Sequence, residues 1–117
     1  RVQRELEVGL LPESALDAAG AFAAFHLEAA RALLADPATT ALAIILPPAP
    51  HDHADWRRAL ARDLAREAAP DRVNVVSARP GEARAATLRF LADAPGVTGQ
   101  YLMCDDNARA DPSAPQA

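Results

Sequence analysis

The clearest block of apolar positions runs over residues 12–36, PESALDAAGAFAAFHLEAARALLAD. A proline suited to a first helical turn, Glu13 and Asp17 near the start and an Asp36-Pro37 stop predict one long helix. Leu16, Ala19, Ala23, Leu27, Ala30 and Leu34 form a stripe at steps of three and four, and Phe22, Phe25, Ala29 and Leu33 form a second beside it. Asp17, Glu28 and Arg31 mark a narrow wet band. A helix apolar over so much of its girth is expected to be covered on two sides, by its own sheet and by a partner helix from another subunit.

Upstream, Leu6, Val8 and Leu10 alternate within VQRELEVGLL, which favours a short strand, although residues 1–7 also fit a frayed helix. Downstream, ALAIILPP (residues 41–48) is a continuous apolar run between prolines and reads as a buried parallel-type strand. Asp52, with Asp55 three residues on, is expected to cap the helix HADWRRALARDLAREAA. Trp56, Leu60 and Leu64 form its inward stripe, and Arg58, Arg62 and Arg66 face solvent, balanced by Asp55, Asp63 and Glu67. RVNVVSA reads as another strand, residues 80–93 as a helix carrying Leu88 and Leu91, and QYLMC as a final strand. The tail NARADPSAPQA is polar and rich in proline and alanine, and is expected to be disordered.

The resulting fold class is α/β: a partial Rossmann-like three-layer sandwich with a short, mostly parallel sheet of about three to four strands and about three helices. One domain over residues 1–106 accounts for the whole pattern.

Composition narrows the chemistry. Half of the 117 residues are apolar and only 4% are aromatic, so the core must be built from alanine, leucine and valine. The net charge is −4, and all 12 basic residues are arginine. Without lysine there is no amine for a Schiff base, and the acidic balance argues against nucleic acid as a partner. One cysteine, Cys104, permits no internal disulfide and is expected to be a buried, inert thiol in a reducing compartment. No apolar run approaches the ~18 residues of a membrane span, and no secretory signal opens the chain. These features point to a soluble, cytoplasmic protein with no membrane partner. The sequence begins at Arg1 rather than methionine, which leaves room for an upstream segment.

Three clusters invite a chemical reading. In His51-Asp52-His53-Ala54-Asp55 two imidazoles and two carboxylates lie close together, but a metal site needs three or four supported ligands, and His26 is a helix away. An exposed helix start is the plainer reading. Asp105-Asp106-Asn107 offers oxygen ligands for a hard cation, against the plainer reading of a polar strand end. Ser77 lacks a nucleophile-elbow context and is expected to cap the next helix.

Three stretches, in order, resemble the C-terminal half of the short-chain dehydrogenase/reductase family. RALARDLAREAAPDRVNVV is similar to the family's helix leading through a proline into an R-V-N strand. RPGEARAATLRFLAD is similar to its later P-E-E-x-A helix, and APGVTGQYLMCDD to its V-T-G-Q turn and last strand. LDAAGAFAAFHLEAARALL is similar to its long interface helix. The resemblance implies that Phe22, Phe25, Leu33, Trp56, Leu60 and Tyr101 belong to a subunit contact built as a four-helix bundle.

The family's cofactor turn G-x-x-x-G-x-G, its Tyr-x-x-x-Lys pair and the lid after its P-G turn have no counterpart here; Tyr101 is the single tyrosine and lies in the last strand. No catalytic, cofactor-binding or metal residues are therefore assigned. The expected function is a non-catalytic subunit, or pseudoenzyme, acting through a homo-oligomer or a hetero-oligomer with a complete dehydrogenase. The alternative is part of an active NAD(P)-dependent reductase (NADP or NAD as cofactor) whose missing parts lie outside this chain. A small metal- or ligand-binding module using His51 and His53 is the weaker alternative.

Overall fold

The computed structural model describes residues 2–104. Its elements follow the order β1 (Val2–Glu7), α1 (Ala15–Phe25), α2 (Leu27–Ala35), β2 (Thr39–Leu46), a 3₁₀ turn (His51–His53), α3 (Ala54–Ala68), β3 (Arg72–Ser77), α4 (Glu82–Ala92) and β4 (Tyr101–Met103). The strands form one sheet in the order β1-β2-β3-β4, and every pairing is parallel. This is the expected α/β, Rossmann-like layer structure, with four helices where the sequence pattern gives three. The proposed tail over residues 107–117 lies outside the described residues.

Each strand's alternation assigns its two faces. Leu6, Ile44, Val75 and Tyr101 stand in register on one face, beneath α1, α2 and α3. Ala43, Ile45 and Val76 belong to the other, where α4 packs with Leu88 and Leu91. Nearly every residue of β2 and β3 is buried, as parallel strands covered on both sides require. β1 differs: Gln3, Glu5 and Glu7 register beside Ala41, Ala43 and Ile45, so its α4-side face is polar. Gln3 Nε2 donates to the carbonyl of Leu88 at 3.0 Å, and Arg84 binds Glu7 through two bonds of 2.9 and 3.0 Å. A sheet edge bearing such charges is blunted against unwanted strand pairing.

The long helix is where the structure departs most from the sequence pattern. It breaks at His26, whose backbone (φ −126°, ψ −20°) leaves the helical region, and the two halves meet at a bend of 44°. The apolar stripes run through His26 without interruption, so periodicity carries no mark of the break. α2 packs on β2 and β1, whereas the main contacts of α1 are with α2 and α3. Ser14 begins α1 by accepting a bond from the Asp17 amide at 3.0 Å, a Ser-x-x-Asp cap that supplies one of the orphan amides of the first turn.

Three further expectations are corrected. Asp52 does not cap α3: it sits within the 3₁₀ turn, and His53 occupies the cap position without a side-chain bond. Ser77 does not cap α4, whose first turn follows Gly81; its buried hydroxyl faces α3 instead. Leu10 belongs to no strand, because β1 ends at Glu7, and it is 96% exposed.

The RVN and VTGQ stretches interlock. The Val73 amide donates to Thr98 Oγ1 at 3.0 Å, and the Gly99 amide donates to the Val73 carbonyl at 2.7 Å. Asn74 closes the other side: its Nδ2 donates to the Val97 carbonyl at 3.0 Å, and its Oδ1 accepts from the Gln100 amide at 3.1 Å. Gly99 holds φ +73°, a left-handed conformation that disfavours any side chain, and an added Cβ would touch Ala65 Cβ at 3.6 Å. This clasp sets the register in which Val75 pairs with Tyr101.

Candidate functional site

In open α/β sheets, ligands gather outside the carboxyl ends of the strands. Here that rim is built from the segment after β1, the proline-rich segment after β2 and the first turns of α3. The Val8 amide donates to the Ile45 carbonyl at 2.9 Å and ties the first segment to the end of β2, from which the second departs. Between them lies a cavity of about 140 Å³, walled by Leu10, Leu11 and Pro12 on one side, Pro47, Pro48 and Pro50 on the other, and His53 and Arg57 of α3.

His53 is buried with both ring nitrogens engaged. Its Nδ1 accepts from the indole N–H of Trp56 at 3.1 Å, and its Nε2 lies 2.9 Å from the carbonyl of Glu13. An indole N–H only donates and a carbonyl only accepts, so the imidazole proton belongs on Nε2. His51 is exposed, and among the described residues no group of three or more His, Cys, Asp or Glu side chains is placed to hold a metal ion. Ligation through His53 would have to break one of its two bonds.

Arg57 is the residue that the sequence pattern passed over. It is 1% exposed, on the stripe shared with Ala61 and Leu64, and spacing by four and three is the signal that places it inward. Its guanidinium carbon lies 5.5 Å from the ring centroid of Trp56 and 5.9 Å from that of Tyr101. Nη1 donates to Tyr101 Oη at 3.3 Å and to Ser77 Oγ at 3.5 Å, both neutral acceptors, while Nε is buried without an acceptor among the described residues.

The outer arginines behave as a solvated face. Arg58 pairs with Asp55 and Arg66 with Asp63, while Glu67 reaches across to Arg31 of α2 at 2.8 Å. The Arg31 guanidinium bonded to Glu67 holds that carboxyl below the usual carboxylate range, and Arg84 does the same for Glu7. Cys104 is half-buried rather than enclosed, with Sγ 3.2 Å from Thr87 Oγ1.

The six residues implied in subunit contact are dispersed. Phe22 is corrected: at 2% exposure it lies in the chain's own core, 6.1 Å from the Trp56 ring, and has no surface to offer a partner. Leu33, Trp56, Leu60 and Tyr101 are half-buried against the same core. Phe25 is 78% exposed at the end of α1. The pattern underrated Leu16, 84% exposed, which begins an outward row continued by Gly20, Ala23 and Ala24.

At the opposite end of the sheet an open groove of about 1150 Å³ runs between the start of β1 and α4, with Gln3, Glu5, Arg72, Arg89 and Asp93 in its walls. Its charges are mixed and it converges on no single group. No single helix among the described residues is long and apolar enough to cross a membrane.

No curated protein and no solved structure matches the chain at a significant level. A family model described as short chain dehydrogenase-like protein matches residues 6–104, from the last two residues of β1 through the end of β4. With its parallel α/β sheet and the interlocked RVN and VTGQ segments, the chain belongs to this short chain dehydrogenase-like family.

Proposed function

We propose that this chain is a non-catalytic member of its family that works by assembly, and that the outer side of α1 is the assembling surface. The observation that carries the reading is the outward row Leu16, Gly20, Ala23 and Ala24, with Phe25 exposed at the helix end. Small residues in the middle of such a row let a second helix approach closely, and an isolated helix of this composition leaves apolar area in water. A second copy of the chain is the favoured partner, because a two-fold contact between identical surfaces is the commonest way to close such an assembly. The absence of any lysine, and of a glycine-rich turn of the family's type in this sequence, supports a role without hydride transfer.

Sedimentation velocity on the chain and on Leu16→Asp tests the reading. A dimer at micromolar concentration that becomes monomeric in the variant is expected; a monomer in both contradicts it. An NADPH fluorescence titration separates the reductase alternative, since saturable binding to this chain would overturn the non-catalytic reading whatever its oligomeric state.

A further inference from the structure

The geometry points to the Arg57 cavity as a binding site for a small monocarboxylate with a short apolar body, a ligand-binding role separate from assembly through α1. An arginine keeps its charge at any physiological pH, and burying that charge is costly unless an anion or a full set of acceptors meets it. Arg57 has neither among the described residues: its bonds go to two neutral hydroxyls at 3.3 and 3.5 Å, and its Nε has no acceptor. The rings of Trp56 and Tyr101 offset part of that cost and hold the planar fork in place.

The walls choose among anions. The cavity, about 140 Å³, holds several non-hydrogen atoms, and its lining is mostly leucine and proline. One guanidinium in a half-open, mostly apolar crevice suits a single negative charge, because a phosphate dianion would need further donors that these walls do not supply. Glu13 stands exposed on the lining and adds a further penalty for a doubly charged ligand. His53, fixed between Trp56 and the Glu13 carbonyl, acts as a wall and an anchor for the segment after β1.

Titration of the full chain with butyrate, followed by NMR at the Arg57 Nε–H resonance and by calorimetry, tests the site. Saturable binding that moves this resonance is expected, with inorganic phosphate much weaker. Arg57→Gln should weaken butyrate at least roughly tenfold, the size of a lost charge-assisted bond. Ala49 also lines the cavity, and Ala49→Phe, which fills part of it while keeping the guanidinium, should weaken butyrate too and keeps the test open if Arg57→Gln misfolds. An unmoved Nε–H resonance at saturating butyrate would overturn the proposal, as would equal affinity for phosphate. So would butyrate binding that appears only in Asp105→Asn, since the chain's own carboxylate would then be the partner of Arg57.

Discussion

Helices α1 and α3 lie over the same side of the sheet but are finished differently. α3 turns Ala61 and Leu64 to the core and covers its outer side with Asp55–Arg58 and Asp63–Arg66 pairs. α1 buries Ala18 and Phe22 and leaves Leu16, Gly20, Ala23 and Ala24 facing outward, with Asp17 as the charge in its first turn. The bend at His26 accounts for much of the contrast. α2 stays on the strands, while α1 rests chiefly on neighbouring helices and has more of its girth left uncovered. Ion pairs finish α3 toward water, whereas α1 leaves an apolar face exposed.

The largest expected effect comes from substituting the buried leucine of α3, with the exposed leucine of α1 as its contrast. Leu64→Ala should destabilise the chain by about 2–5 kcal/mol in denaturant unfolding, because Leu64 is buried and a cavity would remain. Leu16→Ala should change the unfolding of a monomer by no more than about 0.5 kcal/mol, the usual range for an exposed position. A large loss at Leu16 that depends on protein concentration would mean that the lost contact is between chains.

Gly99→Ala comes next. A left-handed φ with a side chain costs roughly 1–2 kcal/mol, so the loss should be of that order, and Gly99→Asn should lose less. Equal stability of Gly99→Ala and the parent would show that the VTGQ clasp tolerates a different turn. Ser14→Ala should cost about 1 kcal/mol by removing the cap of α1, detected as faster hydrogen exchange in its first turn.

The smallest effect is electrostatic. Glu7 and Glu67 titrate below the ordinary carboxylate range because arginines bind them, so their contribution is present above the unfolded glutamate value, about pH 4.3, and is lost as pH falls through the lower folded value. Both are exposed, so Glu7→Gln should flatten the acid side of the stability profile only slightly, and salt should reduce the difference further. A steep acid transition that survives in both Glu7→Gln and Glu67→Gln would assign it to other carboxylates.

The strands were legible because burial on both sides leaves continuous apolar runs, as in ALAIIL and VNVVSA, and because prolines and glycine mark their ends. The parallel order followed from helices of ordinary length between them. The bend at His26 was not legible, since stripes at helical spacing pass through it unchanged and the break lies in one residue's backbone angles. Phe22 and Phe25 look equivalent in sequence, three residues apart, yet one lies in the core and the other is exposed as the last residue of α1. Arg57 was passed over beside the outer row of Arg58, Arg62 and Arg66, although it shares spacing with Ala61 and Leu64. The sequence holds that signal, but an arginine on an inward stripe is rare enough that charge outweighs spacing.

The most direct test of assembly through α1 is sedimentation velocity on the parent chain and on Leu16→Asp across a hundredfold range of concentration. A dimer whose weight-average coefficient falls on dilution, and a variant monomeric throughout with unchanged circular dichroism, are the predicted results. A parent chain that sediments as a monomer at every concentration would contradict the account.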